Sequence, residues 1–114
     1  VHTETQLEQI KSEISRDIQS ALGSYLHKII LYGSYARGDY NKDSDIDIMV
    51  LADIEEDNMS IFRSLANKVA SRISLEHDAL VTISIRNSPL FYSRMRLLPF
   101  YQNVIKEGVV IYGN

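Results

Sequence analysis

Apolar residues recur along the start of the chain at Leu7, Ile10, Ile14, Ile18 and Leu22, while Glu, Lys, Arg and Gln fill the positions between them. That spacing predicts an amphipathic helix over residues 3 to about 22. Thr3 and Gln6 have capping-box spacing at its start, and Gly23 suits the position just past its end. The pattern then shortens. Residues 27–32, HKIILY, and residues 46–51, IDIMVL, are compact apolar runs rich in β-formers and read as buried strands. Asp57 or Asn58 can cap a second long helix reaching about residue 75, because Met59, Phe62, Leu65, Ala66, Val69 and Ile73 keep helical spacing. Residues 79–85, ALVTISI, read as a third strand. Ser88-Pro89 opens a helix, Pro99 opens another, Gly108 ends it, and VVIY forms a last strand.

The resulting order, α-β-β-α-β-α-α-β, predicts an α/β (α+β) sandwich: a small mixed sheet of about four strands with helices packed on one face. The loop joining the first two strands is too short for an ordinary helical crossover, which makes those strands neighbours and the loop itself the unusual feature. With 114 residues, residues 1–114 are expected to form one domain.

That loop, GSYARGDYNKDSDID, leaves strand one through Gly33-Ser34 and enters strand two through Asp45-Ile46-Asp47. Side chains two apart on a strand share a face, so Asp45 and Asp47 project together while Ile46 and Ile48 turn toward the helices. Two carboxylates this close disfavour each other's charge unless a cation intervenes. Mg²⁺ suits them, being hard, oxygen-seeking and usually bound through one or two carboxylates plus phosphates. Gly33-Ser34 offers phosphate an unobstructed backbone and a hydroxyl donor. Arg37 can meet a phosphate with two parallel hydrogen bonds, or tie the loop by pairing with an aspartate.

Other meanings of Asp-x-Asp fit less well. A calcium loop beginning at Asp43 would need Gly where Ile48 stands and Glu where Ile54 stands. In haloacid-dehalogenase phosphatases and many sugar transferases the apolar strand precedes the acidic pair, whereas here it follows. Tyr32, Tyr35 and Tyr40 surround the motif and are read mainly as partial core, with base stacking as the lesser reading. Leu97, Leu98, Phe100 and Tyr101 are read as core.

Composition narrows the chemistry further. The chain has no cysteine, which removes disulfides, thiolate zinc sites and thiol nucleophiles, so any metal must be held by oxygen or imidazole. A net charge of −3 lacks the basic footprint of a nucleic-acid binder, so no stable nucleic-acid binding is expected from this chain alone. No apolar run is long enough to span a bilayer and no signal-type segment is seen, so no membrane association and a cytoplasmic location are expected.

The stretch GSYARGDYNKDSDIDIMV resembles the signature of the DNA-polymerase-β-type nucleotidyltransferase superfamily, Gly-Ser followed by a spaced Asp-x-Asp. Its form, Gly-Ser-x-Ala-Arg-Gly and then Ser-Asp-Ile-Asp, is similar to the minimal nucleotidyltransferases, small antitoxin partners of HEPN-domain toxins. The closing LPFYQNVIKEGVVIYG is similar to the tail of many such proteins. The resemblance implies the polymerase-β-like nucleotidyltransferase fold, with ATP as substrate and two Mg²⁺ ions as cofactors. It implies that Gly33, Ser34, Arg37 and Ser44 bind the nucleotide and that Asp45 and Asp47 are catalytic metal ligands. A third metal-ligating carboxylate is implied in or at the start of the strand after the second long helix, where Asp78 is the candidate and Glu76 the reserve. The implied reaction moves AMP to a hydroxyl, that of a tyrosine of a HEPN toxin. Two rivals remain: an antitoxin that neutralises its partner by docking alone, and a small-molecule nucleotidyltransferase of the antibiotic-modifying kind.

Overall fold

The structure, a computed structural model, describes residues 4–113, so the Thr3 half of the expected capping box lies outside the described residues. Helix α1 (Glu4–Leu22) runs into a short 3-10 turn (Gly23–Tyr25) and strand β1 (Leu26–Tyr32). One helical turn, α2 (Ser34–Arg37), precedes β2 (Ile46–Ala52), followed by the long α3 (Glu56–His77) and β3 (Val81–Asn87). Helices α4 (Ser88–Arg94) and α5 (Pro99–Glu107) lead to β4 (Val109–Tyr112). None of the helices among the described residues is long and apolar enough to cross a membrane.

The strands form one mixed sheet in the order β3-β2-β1-β4. β1 pairs antiparallel with both β2 and β4, while β2 and β3 run parallel with α3 as the crossover between them. Alternation along β2 separates two cores. Ile46, Ile48 and Val50 pack with Ile10, Ile14 and Ile18 of α1 and with Met59, Ala66 and Ile73 of α3. Met49 and Leu51 point the other way, joining Ile30, Phe91 and Val104. The expected cover of one face is therefore present, and α4 and α5 add a smaller cover on the opposite face. Each fully buried Ile contributes about 1.5–3 kcal/mol relative to exposure, which anchors α1 and α3 firmly to the sheet.

Two boundaries differ from the expectation for local reasons. Helix α3 starts at Glu56 behind Glu55, which makes no side-chain cap bond, so neither Asp57 nor Asn58 is the cap. Asp57 instead lies in the first turn, where an acid complements the helix dipole. At the other end α3 continues to His77, two residues past Leu75, held by Arg72 to Glu76 at 3.0 Å and by His77 Nε2 to Glu13 at 2.8 Å. The third strand is displaced accordingly, to Val81.

Candidate functional site

β1 delivers Gly33 to the end of the sheet where β2 begins, because Tyr32 pairs with Asp47 across the antiparallel ladder. The Gly33 backbone, at φ 77° and ψ −155°, turns the chain into α2, and its carbonyl accepts from the Ala36 and Arg37 amides at 3.1 Å. This close turn brings the Asp47 carboxylate against Gly33: a Cβ placed there would lie 2.5 Å from Asp47 Oδ2. Thr82, opposite Asp47 on β3, donates its hydroxyl to Asp47 Oδ1 at 2.9 Å and fixes the other oxygen.

A cleft of about 380 Å³ opens at this point. One wall carries Tyr32, Gly33, Ser34, Arg37 and Asp47. The facing wall is α5, through Phe100, Asn103, Val104 and Glu107. A larger cavity of about 580 Å³ lies between α1 and β4, far from this chemistry.

Asp47 titrates above the usual carboxylate range, chiefly because burial penalises its charge. The Thr82 hydrogen bond opposes that shift, the charge of Asp45 adds to it, and Arg37 opposes it. Asp45 stands just before β2 and acts on Asp47 through this repulsion. An all-oxygen donor set with two mutually repelling carboxylates fits a hard divalent cation, as the loop pattern implies. Arg37 also donates from Nε to Asp39 Oδ2 at 3.2 Å, the loop tie that was one of its two expected roles, and it lines the cleft as well. Ser44 accepts from the Asn41 amide at 3.0 Å and closes the turn ahead of Asp45.

Asp78 is placed differently from the other acids. It is the exposed C-cap of α3, in the left-handed conformation at φ 50°; neither it nor Asp45 lines the cleft, but Asp45 stands two residues from Asp47 and acts on its charge. The β3 residues on the same face as Asp47 are Thr82, Ser84 and Arg86, two hydroxyls and a cation with no acid among them. Glu76, the reserve, is tied to Arg72. Among the described residues, Glu13, Glu76 and His77 bring their side-chain ligand atoms within 4.8 Å of one another, but Glu13 and His77 already bond each other and join α1 to α3. Replacing Asp78 by Gly, which accepts a left-handed backbone without strain, is expected to leave nucleotidyl transfer unchanged and to hold or raise the melting temperature. A loss of transfer with an unchanged melting curve would return Asp78 to the site.

The aromatic expectations divide. Tyr35 is buried and stacks on Tyr40 with centroids 4.2 Å apart, which makes it core as expected. Tyr101 stacks on Phe91 at 4.4 Å and also packs inward. Leu97, Leu98 and Phe100 do not; they are 80%, 39% and 49% exposed, the first two lying just before α5 and Phe100 on its cleft-lining first turn. That facing wall is the part of the site missed in the sequence. Its signal was present, since Phe100, Asn103, Val104 and Glu107 recur at i, i+3, i+4 and i+7 behind the helix-opening Pro99.

A sequence model described as a nucleotidyltransferase domain matches residues 7–111. A Methanocaldococcus jannaschii protein named as a putative protein adenylyltransferase is 35% identical over 103 residues, covering 90% of this chain and 96% of its own. A solved toxin–antitoxin structure with AMP-PNP superposes with a TM-score of 0.62 at 26% identity, over 91% of this chain and 73% of the other. A tri-AMPylated Shewanella oneidensis HEPN toxin in complex with an MNT antitoxin gives a TM-score of 0.57 over 94% of this chain and 72% of the other, a likeness of fold at 24% identity. Because the match runs through both strands that carry Gly33 and Asp47, the chain belongs to the nucleotidyltransferase domain family.

Proposed function

We propose that this nucleotidyltransferase moves AMP from ATP, with Mg²⁺, to a tyrosine hydroxyl of a HEPN-type partner protein and thereby acts as an antitoxin. The observation that carries the reading is the packing of the Asp47 carboxylate against Gly33, beside Asp45 and in one cleft with Ser34 and Arg37. The protein-adenylyltransferase name of the 35% identical relative supports the donor and the class of acceptor. The toxin–antitoxin neighbour with AMP-PNP supports the kind of partner.

In this reading Asp45 and Asp47 hold the divalent cation, and Thr82 keeps Asp47 oriented through its hydrogen bond. Gly33 lets the backbone approach the phosphates, Ser34 offers a hydroxyl donor and Arg37 a charged one. When bound, Mg²⁺ supplies Lewis-acid stabilisation of the phosphoryl charge and lowers the pKa of an attacking hydroxyl. The acceptor oxygen forms a bond to the α-phosphorus as the bond to the β-phosphate bridging oxygen breaks. Pyrophosphate leaves with the electron pair, and the hydroxyl proton passes to solvent. No side-chain nucleophile takes part.

ATP labelled at the α-phosphorus should leave its label on the HEPN partner, whereas γ-labelled ATP should not, and chelation of divalent ions should stop the transfer. Label transfer that survives a combined Asp45→Asn, Asp47→Asn change would remove the metal assignment. A second reading, docking without transfer, is favoured by one observation: β3 turns hydroxyls rather than an acid toward Asp47. Inhibition of the partner with no label on it would select that reading.

A further inference from the structure

The phosphate and metal chemistry occupies one wall of the cleft and leaves the α5 wall unassigned. Phe100, Asn103 and Glu107 lie along one side of this helix, spread over about 10 Å at 1.5 Å per residue, comparable with the length of a nucleoside. Phe100 is half exposed although it is a large apolar ring, and it packs T-shaped with Tyr32, centroids 5.7 Å apart and planes at 81°. Tyr101 lies tilted beside it at 5.9 Å, and with both contacts in place Phe100 still keeps half of its surface exposed in the cleft wall. Asn103 adds a donor and an acceptor side by side, and Glu107 adds an acceptor-only carboxylate.

We propose that this side of α5 is the nucleoside-reading wall, selective for an adenine ribonucleotide; the assignment rests on the transferase reading above and deepens it. Phe100 stacks on the base. The Asn103 amide pairs with an adenine edge, which presents a donor beside an acceptor; the corresponding guanine edge presents two acceptors and suits Arg or Lys instead. Glu107 accepts hydrogen bonds from the ribose hydroxyls. Its charge repels phosphate, which directs the triphosphate toward Arg37 and Ser34 on the opposite wall and the sugar toward α5.

Calorimetric titration of the full chain with ATP, GTP and 2′-deoxy-ATP in Mg²⁺ tests this. ATP is expected to bind about 5- to 150-fold more tightly than GTP, and Asn103→Ala should erase that preference. Phe100→Ala should weaken ATP and GTP together by about 5- to 150-fold. If its melting curve shows that it does not fold, Phe100→Leu keeps the bulk and loses only the aromatic face. Glu107→Gln should reduce the preference for ATP over its 2′-deoxy analogue while leaving the ATP-to-GTP ratio alone. Equal affinity of the wild type for ATP and GTP, or an unchanged ratio in Asn103→Ala, overturns the assignment. An Asp45→Asn, Asp47→Asn variant separates the two levels. If it loses Mg²⁺-dependent binding while all three α5 changes are silent, only the nucleoside wall fails. If the wild type binds no nucleotide, the wall and the transferase reading fall together.

Discussion

Asp47→Asn should lower nucleotidyl transfer by more than about 100-fold, because residues that merely support metal ligands already contribute 10- to 100-fold. The same change should leave the melting temperature unchanged or raise it. Asparagine keeps the shape and still accepts from the Thr82 hydroxyl, yet removes a half-buried charge that Asp45 repels. The pH dependence follows from the direction of the Asp47 shift. Burial, then Asp45, raises its folded carboxyl above the unfolded value, with Thr82 and Arg37 opposing. Its protonated form therefore favours folding at low pH, and that contribution is lost as pH rises through the folded pKa. Among the described residues, Tyr32 and Glu107 line the same cleft and Arg86 lies on the same face of β3. The stability advantage of Asp47→Asn over wild type should thus widen from acid toward neutral pH in metal-free buffer. Adding Mg²⁺ with a non-hydrolysable ATP analogue should raise the wild-type melting temperature and leave the variant's almost unmoved. A variant that melts early and also loses transfer would make Asp47 a folding residue.

This opposition between stability and function explains why the site's main acids were legible in the sequence. Two carboxylates at the mouth of a buried strand conflict with local folding preferences, and such conflicts concentrate where function is. The strands were legible for the opposite reason: residues 27–32 and 46–51 agree with the fold at every level, and their observed limits, Leu26–Tyr32 and Ile46–Ala52, differ by a single residue at one end. Less legible was the passage from α3 to β3. In the sequence, residues 76–78 fall between the end of a helix near 75 and a strand beginning at 79, with no local signal that extends the helix through them. Only tertiary contacts, the Glu13–His77 bond and the Ser74 hydroxyl accepting from the Val81 amide at 3.0 Å, decide for the helix.

The second layer of the fold was harder still. Helices α4 and α5 are short, and their apolar residues split between a core contact, Phe91 and Val104, and a cleft wall, Phe100. Hydrophobicity alone cannot separate a ring that fills a core from one that faces a ligand, because both remove the ring from water. What distinguishes them is which side of α5 meets Ile30 and Met49, and that depends on the crossing of a helix over a sheet face that the sequence does not describe. The cleft-facing wall is therefore a tertiary feature even though its helical spacing was written in the chain.

Gly33→Ala should abolish transfer and destabilise the protein, and a comparison with Gly38→Ala separates the two effects. Gly33 adopts φ 77° and ψ −155°, a region essentially reserved for glycine, where another residue costs about 1–3 kcal/mol. Its added Cβ would also stand 2.5 Å from Asp47 Oδ2. That oxygen belongs to a short side chain whose partner oxygen is held by Thr82, so the carboxylate must leave its place or β1 must part from β2. Gly38, at φ 86° and ψ 5°, is likewise left-handed, but its Cβ would meet nothing within 4 Å. Gly38→Ala therefore carries only the backbone cost, about 1–2 kcal/mol, and should retain transfer at temperatures where it is folded. Thermal melts should place both variants below wild type, while label transfer measured well below either midpoint should be lost only in Gly33→Ala. Transfer retained by Gly33→Ala would mean that the contact between the turn and Asp47 is dispensable, and the geometry on which the transferase reading depends would no longer support it.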